Sequence, residues 1–437
     1  MRALAILPAS KQERGREMTS GEGLSAPAAA TTDSPASARR AASVLPLSCI
    51  AIGLLVLMAR RTDQLMDPQV WAEEGVQIIP SFLEHGPSAF LTPVNGFLVT
   101  TPRMISFLAL ALGGLEHYPG VSTAFGLLLT GAVFAWIGTA PLILRGNALL
   151  PLAVALVPSD VEVFVVPLLT FWFAGLALFS LALWRPEDSS RLGARLAIAV
   201  VGGLSNPVVV LLAPVSVVKA IVTRARHEAL VAAALVAPAL LQLWLVHSLP
   251  RGATIPAAAD AFVVVARFLG YPLLLGFTSE PSQGWIWAAG AMHAAALLAV
   301  LVPAQSRARR LALVGLFLLS AGSSILRHDP PTVMHPVLAG PRYFFFPFVF
   351  LSWVWLDVLL SARTPVARLL PATAAGLILL SASRHFNRRH AHLDWQGAVR
   401  ELSLRGRARL PVHSNGSLEQ QWELKLAQCG DRLCEAP

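Results

Sequence analysis

Charged residues are scarce in this chain, and so are cysteines. Acidic and basic side chains make up 14% of its 437 residues, whereas they make up about a quarter of an average soluble domain. That scarcity excludes an ordinary soluble protein. The chain has three cysteines, and their spacing is unlike that of zinc-finger ligands, so a zinc-finger module is excluded as well.

Sequence motifs of several soluble enzymes and of nucleic-acid-binding proteins are also absent. The chain has no Walker loop, no dinucleotide-binding glycine fingerprint and no GxSxG nucleophile elbow. Its formal net charge of +9 could suggest nucleic acid, but lysine and arginine are spread over loops without a basic motif interleaved with aromatic residues. We therefore expect no nucleic-acid partner.

Apolar residues dominate what is present. They make up 55% of the chain, and many runs approach or exceed the roughly 20 residues that cross a bilayer. Each run must be helical, because lipid offers backbone groups no hydrogen-bond partner and the runs lack the alternation of a barrel strand. The sequence predicts an all-α polytopic membrane protein with about 10 to 12 transmembrane helices. The clearest predicted spans are 44–58, 97–115, 121–144, 167–183, 230–249, 285–302, 311–326, 343–360 and 369–383.

Composition divides the chain into three parts. Residues 1–43 are rich in alanine, serine, threonine and arginine without helical periodicity, which predicts a disordered extension. Basic residues place this extension in the cytoplasm, so the first span should lead outward, although Arg60 and Arg61 weaken that assignment. We expect the transmembrane domain at 44–383 and a short soluble tail at 384–437. The predicted outward loops are 60–96, 250–284 and 327–341.

Two signals disagree about the side of the membrane on which the tail lies. Arg384, Arg388 and Arg389 directly follow the last span and favour the cytoplasm. Cys429 and Cys434, in the sequence CGDRLC, could close a disulfide, which persists only in an oxidising compartment. The count of loops also favours the outer side, so we expect the tail there.

A polar cluster interrupts the apolar stretch 196–218. This stretch is too short for two full spans, so we predict two short helices that meet at a break. Broken helices at membrane depth are tolerated where protein or a wet cavity covers them, which indicates a buried polar site nearby. The cluster comprises Gly202, Gly203, Ser205, Asn206 and Pro207.

The densest group of acidic residues lies in residues 60–100, a segment that we call the island. Asp67, Glu73 and Glu74 lie close to Trp71 in this segment. Carboxylates displayed beside a membrane suit acid or base catalysis on a lipid-borne substrate, while the alternative is a solvated acidic turn. Apolar residues at helical spacing predict that a helix of the island lies in the plane of the membrane surface. These residues are Val76, Ile79, Phe82 and Leu83.

Other polar residues near predicted membrane edges are candidates for the same site. Asp160 and Glu162 follow a proline between apolar stretches, where ionisable groups are costly unless they are paired or wet. Arg342 precedes Tyr343 and an aromatic run, and an arginine can grip a phosphate through paired donors. Arg103 has the same interpretation. The alternatives are acids that snorkel at a helix end and side chains that anchor the protein at the interface.

A late loop contains two histidines that could suggest a metal. His328 and His335 are separated by six residues, a spacing that is weak evidence for a metal site, although nearby carboxylates could share a divalent ion. We therefore expect no cofactor and keep a divalent metal as an alternative. His335 is also a candidate for contact with substrate.

Short motifs in the island and just after it resemble those of the GT-C superfamily of integral-membrane glycosyltransferases. The motifs are WAEEG at 71–75, PVNGF at 93–97 and PRM at 102–104, and a second acid after a proline, short broken helices and a late outward loop follow them. The chain looks like a bacterial multi-spanning member of that superfamily. The resemblance implies a GT-C-like helical fold in the inner membrane.

The same resemblance implies a reaction and a set of residues. A sugar would move from a polyprenyl-phosphate donor to a hydroxyl of a glycan or lipid acceptor on the outer face, with membrane lipid as the surrounding partner. Glu73 or Glu74 would supply the general base where the family usually has at least one aspartate, and Arg342 would stabilise the leaving phosphate. The predicted catalytic residues are Asp67, Glu73, Glu74 and Glu162, and the predicted substrate-binding residues are Asn95, Arg103, Asp160, His335, Arg342 and Tyr343.

Two other functions remain open from the sequence. The helix break at 202–207 would suit a transporter or a flippase for lipid-linked sugars. A transporter built from repeats should show a second broken segment in its other half, and no matching segment is visible. A non-catalytic membrane scaffold is the third interpretation, which the many polar loops make less favourable.

Overall fold

Helices form most of the structure. A computed structural model describes residues 35–159, 161–247, 258–327, 333–337, 340–386, 389–413, 422–429 and 432–435. The α-helices are α1 (Pro35–Arg60), α2 (Thr62–Met66), α3 (Ile79–His85), α4 (Thr100–Gly113), α5 (Tyr118–Thr139), α6 (Leu150–Ala155), α7 (Thr170–Ala182), α8 (Leu192–Ala197), α9 (Gly203–Ser205), α10 (Val209–Thr223), α11 (Arg226–His247), α12 (Ala258–Leu274), α13 (Gln283–Leu301), α14 (Ala304–Arg327), α15 (Phe345–Ser361), α16 (Pro365–Ser383) and α17 (Trp395–Arg405).

Short helices of other types connect several of these elements. Two are π-helices, which place one extra residue in a helical turn and occur frequently at functional sites. They cover Glu74–Ile78 and Ile198–Gly202. The 3-10 helices are Gly86–Leu91, Asn147–Leu149, Val161–Val163, Pro167–Leu169 and Pro341–Phe344.

The length and composition of the helices agree with a membrane protein. Among the described residues, six helices are long and apolar enough to cross a bilayer. Four shorter apolar helices lie at 45–60, 167–182, 192–205 and 209–223. The all-α character of the membrane part is thus confirmed, while the total of about 10 to 12 spans stays a prediction. Bounds of the six long helices are Tyr118–Thr139, Arg226–His247, Gln283–Leu301, Ser306–Leu326, Pro341–Ser361 and Pro365–Ser383.

One predicted outward loop contains a helix. The sequence predicts an outward loop at 250–284, but α12 occupies the centre of that range and packs along α13 and α16. Val264 and Phe268 on α12 are fully buried. Asp260 and Arg267 interrupt the apolar run, so hydropathy alone did not indicate a helix there. This range is therefore corrected from one loop to a helix with flanking segments.

The predicted helix break at 202–207 is present. The chain runs from α8 through a π-helix into α9, and Asn206 then adopts an extended conformation with φ −137° and ψ 124°. The side-chain oxygen of Asn206 accepts a hydrogen bond from the Val208 N–H at 2.9 Å, and its amide donates to the Phe171 carbonyl at 2.9 Å. Asn206 therefore supplies partners where the helical ladder stops, and α10 begins just beyond Pro207.

The C-terminal tail folds into a small unit of its own secondary structure. Helix α17 is followed by an antiparallel sheet in the order β1-β2-β3, with β1 at Arg407–Val412, β2 at Trp422–Cys429 and β3 at Arg432–Glu435. The predicted disulfide between Cys429 and Cys434 is confirmed, and it joins β2 to β3. One face of the sheet is buried through alternate residues, as expected for a two-sided sheet. These residues are Leu410, Val412, Leu424 and Leu426.

The buried face of the tail packs on the island. Ile79 of α3 lies in the same apolar cluster as the sheet, and Trp395 donates its indole N–H to the Leu115 carbonyl at 2.7 Å. The main chain of His413 pairs with residues 70–72. The tail and the island therefore lie at the same end of the helix bundle.

The described part of the chain begins within the predicted N-terminal extension. Residues 1–34, which make up most of the predicted disordered extension, lie outside the described residues. Helix α1 begins at Pro35, so the predicted boundary at residue 43 falls within this helix. The side of the membrane on which the extension lies stays a prediction.

Candidate functional site

A cavity of about 850 Å3 lies where the island meets the bundle. Its walls come from the island, the helix break, α7, α10, α11, α14 and the 3-10 helix Pro341–Phe344. Apolar side chains form most of the lining, and a smaller set of polar groups is concentrated among them, as is usual for ligand sites. The polar lining residues are Glu73, Asn95, Asn206, Ser320, Ser323, Ser324, Arg342 and Tyr343.

The WAEEG segment presents Glu73 to this cavity. Trp71 is 2% exposed, donates its indole N–H to Gln64 at 2.8 Å and stacks on the His413 ring at 4.1 Å. Ala72 follows with φ +39°, a conformation that is rare for residues other than glycine. Because Trp71 is fixed and the chain turns sharply at Ala72, the next side chain, Glu73, points into the cavity.

A two-residue turn places Asn95 against Glu73. Val94 and Phe97 exchange both backbone hydrogen bonds, at 2.8 and 3.0 Å, and Asn95 and Gly96 between them have φ +49° and +82°. Asn-Gly is the preferred pair for this type of tight turn. The Asn95 amide donates to Glu73 Oε1 at 3.1 Å. The PVNGF motif thus acts as a rigid support that holds the Glu73 carboxylate.

Arg342 and Glu162 form an ion pair at the cavity. The guanidinium Nη1 lies 2.9 Å from Glu162 Oε1. The Glu162 side chain is 8% exposed and that of Arg342 is 32% exposed, so the arginine keeps a face toward the open space. Arg342 also lies over the Tyr343 ring at 5.6 Å. This partly buried ion pair gives the cavity a positively charged group whose position is fixed by the neighbouring carboxylate.

Two buried arginines hold the segment that carries Glu162. Arg60 is fully buried and donates to the carbonyls of Ala155, Val157 and Ser159 at 2.7, 3.0 and 2.8 Å. Arg61 is also fully buried, and it donates to the Phe164 carbonyl at 2.9 Å and pairs with Asp63 at 2.8 Å. The Arg60 bonds satisfy carbonyls at and just beyond the C-terminal end of α6, where no helical partner is available.

Glu74, the other acid of the motif, points away from the cavity. It is 1% exposed, and the Tyr118 hydroxyl donates to its Oε1 at 2.8 Å. Burial raises the pKa of Glu74 from 4.5 to about 7, although its hydrogen bonds act in the opposite direction. Gly75 follows because a Cβ at that position would collide with Val412 of β1. Glu74 is therefore part of the packing between the island and α5.

We expect Glu74→Gln to make thermal stability less dependent on pH. Between pH 4.5 and about 7 the folded chain keeps the proton on Glu74 while the unfolded chain releases it, so the wild type loses stability as the pH rises through this window. Glutamine carries no charge at any pH. The melting temperature of Glu74→Gln relative to wild type should therefore rise from pH 5 to pH 8, by on the order of 5 °C. An equal difference at both values would contradict a buried, proton-binding carboxyl.

Asp67 and His335 are also placed outside the cavity lining. Asp67 pairs with His392 of the tail, whose Nδ1 lies 2.9 Å from Asp67 Oδ2. His335 packs edge-on against Tyr271 at 4.8 Å and accepts the Val337 N–H at 3.1 Å. Burial is the main cause that lowers the pKa of His335 to about 4, and the charge of Arg267 lowers it further.

Arg103 and Asp160 complete the predicted set. Arg103 is fully buried in the first turn of α4, where it donates to Ser81 Oγ at 3.2 Å, and it does not line the cavity. Asp160 lies outside the described residues. Of the predicted site residues, the cavity therefore brings together Glu73, Asn95, Arg342 and Tyr343, with Glu162 paired to Arg342.

Several cavity residues were not predicted as site residues from the sequence. Trp172 of α7 packs edge-on against Tyr343 at 6.3 Å and forms part of the wall. Ser324 of α14 is buried and donates to the Tyr343 carbonyl at 2.9 Å, which ties the arginine-bearing turn to the helix. The serines in the apolar span were a usable signal, because polar groups in such a span need a partner.

The described residues contain no group of three or more histidine, cysteine, aspartate or glutamate side chains arranged to hold a metal ion. The polar groups in the cavity are instead one pairing of cation and carboxylate and a second carboxylate held by an amide. This arrangement can accept a proton at Glu73 and can bind an anion at Arg342.

Comparison with known proteins gave no match. No family model, no curated protein and no solved structure matches the chain. The resemblance to GT-C glycosyltransferases stays a prediction from short motifs.

Proposed function

We propose that the chain is a membrane glycosyltransferase that moves a sugar from a polyprenyl-phosphate donor to a hydroxyl on an extracytoplasmic glycan or lipid. In this proposal the protein is GT-C-like, crosses a bacterial inner membrane about 10 to 12 times, and has the island and the tail on its outer side. The observation that carries the proposal is the shared cavity, in which the Glu73 carboxylate and the Arg342 guanidinium face the same space.

The chemistry requires one base and one anion-binding group. Glu73 accepts the proton of the acceptor hydroxyl while the acceptor oxygen forms a bond to the anomeric carbon of the sugar. The bond between that carbon and the phosphate oxygen breaks, and the polyprenyl phosphate leaves with the electron pair. Arg342 stabilises the charge of the leaving phosphate, and Glu162 keeps the guanidinium in place.

The apolar wall of the cavity suits the lipid part of such a donor. Leu243 of α11 and Leu326 of α14 line the cavity and are 49% and 70% exposed on the bundle surface. Exposed leucines on long apolar helices are the surface that lipid covers in a membrane protein. A prenyl chain could therefore lie against this wall while its phosphate reaches Arg342 inside.

The test is sugar transfer by purified protein in proteoliposomes that contain a radiolabelled polyprenyl-phosphate sugar. Wild type should form labelled acceptor product. Arg342→Gln should raise the KM for the donor or lower kcat by a combined factor of about 100 in kcat/KM. Arg342→Lys should be intermediate, because it keeps the charge but loses the paired donors.

Absence of transfer with a panel of donor sugars and acceptors would contradict the proposal. A smaller loss of kcat/KM in Arg342→Gln than in Arg342→Lys would contradict the role of the guanidinium.

The position of the helix break favours a second candidate function. Asn206, Pro207 and Val208 lie at the break and also line the cavity. Transporters often place broken helices at their substrate sites, so the protein could be a flippase for lipid-linked sugars. Movement of labelled donor between leaflets in the same proteoliposomes, without sugar transfer, would support that candidate instead.

A further inference from the structure

We propose that the C-terminal tail sets the position of Glu73, and that His413 is the positioning residue. This inference rests on the proposed role of Glu73 as the general base. His413 does not line the cavity, so its effect on the reaction is exerted through residues 70–72.

The main chain of His413 joins the tail to the motif. The His413 N–H donates to the Val70 carbonyl at 2.8 Å, and the Ala72 N–H donates to the His413 carbonyl at 2.8 Å. These two bonds form a short parallel bridge on either side of Trp71. Val412, the last residue of β1, packs against Gly75, where there is no room for a larger side chain. The backbone around Glu73 is thus bonded to a segment more than 300 residues away in sequence.

The side chain of His413 contacts Trp71, the residue that lies between these two backbone bonds. Its ring stacks on the Trp71 indole with centroids 4.1 Å apart and planes at 29°. The Arg61 guanidinium also lies over the Trp71 ring, 5.1 Å from its centroid. The indole therefore packs against two groups, the His413 ring and the Arg61 guanidinium.

Strain in the backbone at Ala72 indicates why the contacts of His413 with residues 70–72 are needed. Ala72 has φ +39°, which costs on the order of 1 kcal/mol in a residue with a Cβ. A residue held in this region persists only where the surroundings enforce it. His413 bonds to the Ala72 N–H and to the Val70 carbonyl, so the tail fixes the backbone that enters the turn pointing Glu73 into the cavity.

A second attachment keeps the tail in register with the island. His390 is 1% exposed, with Nδ1 3.0 Å from Asp63 Oδ2 and Nε2 2.9 Å from the Asp67 carbonyl. Burial alone would raise the pKa of Asp63, but the hydrogen bond with His390 and the charge of Arg61 outweigh it and hold that pKa well below its usual range. His392 adds a contact to the Asp67 carboxylate. The predicted catalytic residue Asp67 thus has a place in the attachment of the tail.

The test compares His413→Ala with His413→Phe in the full chain. Phenylalanine keeps an aromatic ring to stack on Trp71, whereas alanine removes it. We expect His413→Ala to lower kcat about 10-fold or more, with the KM for the donor unchanged, since a small misplacement of a reacting group lowers the rate steeply. His413→Phe should restore kcat to within about 3-fold of wild type. Leu404→Ala, at an exposed residue of α17, is the control and should have no effect.

Hydrogen exchange supplies a readout that does not depend on activity. Amide exchange in residues 70–74 should be faster in His413→Ala than in His413→Phe, with the rest of the bundle unchanged. Unchanged exchange in His413→Ala, or faster exchange without a loss of kcat per folded molecule, would overturn the positioning role. Full activity of Glu73→Gln would instead overturn the proposed function, while exchange would still report whether the tail holds this segment.

Discussion

Glu73→Gln should lower kcat for sugar transfer by about 100-fold or more, the usual contribution of a general base. Glutamine fills nearly the same space, and its carbonyl oxygen can still accept the hydrogen bond from Asn95. Its amide cannot accept the proton of the acceptor hydroxyl. We therefore expect kcat to fall while the KM for the donor and the melting temperature stay close to those of wild type. The measurement is initial rate of labelled product formation per folded molecule in proteoliposomes.

The matched control for this prediction is the neighbouring residue. Glu74→Gln makes the same chemical change one position later, but Glu74 is buried against Tyr118 outside the cavity. Its activity should stay within about 3-fold of wild type. If Glu74→Gln were inactive and Glu73→Gln active, the general base would be Glu74, which would contradict the proposed role of Glu73.

Arg60→Met should lower the free energy of unfolding by about 3 kcal/mol or more, because hydrogen bonds to charged groups contribute about 1.5–3 kcal/mol each. Arg60 donates to three carbonyls between residues 155 and 159. Methionine keeps much of the apolar stem but leaves those buried acceptors without these donors. The change also loosens the segment that leads to Glu162, so we expect weaker donor binding in addition to a lower melting temperature in detergent.

An exposed arginine serves as the control for Arg60→Met. Arg191 lies at the surface and makes a hydrogen bond to Thr139 Oγ1 at 3.0 Å. Arg191→Met should change stability by no more than about 0.5 kcal/mol. Similar melting temperatures for the two variants would show that the three carbonyl contacts of Arg60 contribute little.

Arg60 and Arg61 also show how a sequence signal can mislead. Basic residues beside a span are ordinarily evidence for the cytoplasmic side, and at this position they weakened the assignment of the island to the outer side. Both side chains are fully buried and bonded to carbonyls or to Asp63. Their charge is used inside the protein, so it carries little information about the side of the membrane.

The sequence was sufficient for features that depend on local composition. Apolar runs located most of the long helices, because a span must be apolar over its whole length. The sequence Gly-Gly-Leu-Ser-Asn-Pro at 202–207 predicts the break at Asn206, since glycine and proline together disrupt a helix. Helix α12 was missed because charged residues on it find partners within the fold, as Arg267 does at the Met334 carbonyl.

Long-range contacts explain what the sequence did not reveal. The choice between Glu73 and Glu74 depends on the turn at Ala72 and on Tyr118, and neither can be read from the motif itself. The packing of the tail on the island depends on strand pairs formed far along the chain, including the contact of His413 with Val70. The pairing of Arg342 with Glu162 joins residues 180 positions apart. Such pairs follow from the complete fold and not from local spacing.

The most direct measurement is an experimental structure of the protein with polyprenyl phosphate bound in a lipid nanodisc. We expect the phosphate to lie within hydrogen-bond distance of the Arg342 guanidinium, with the Glu73 carboxylate facing the same space and the prenyl chain along α11 or α14. A phosphate bound at the other end of the bundle, or beyond the reach of Arg342, would contradict it.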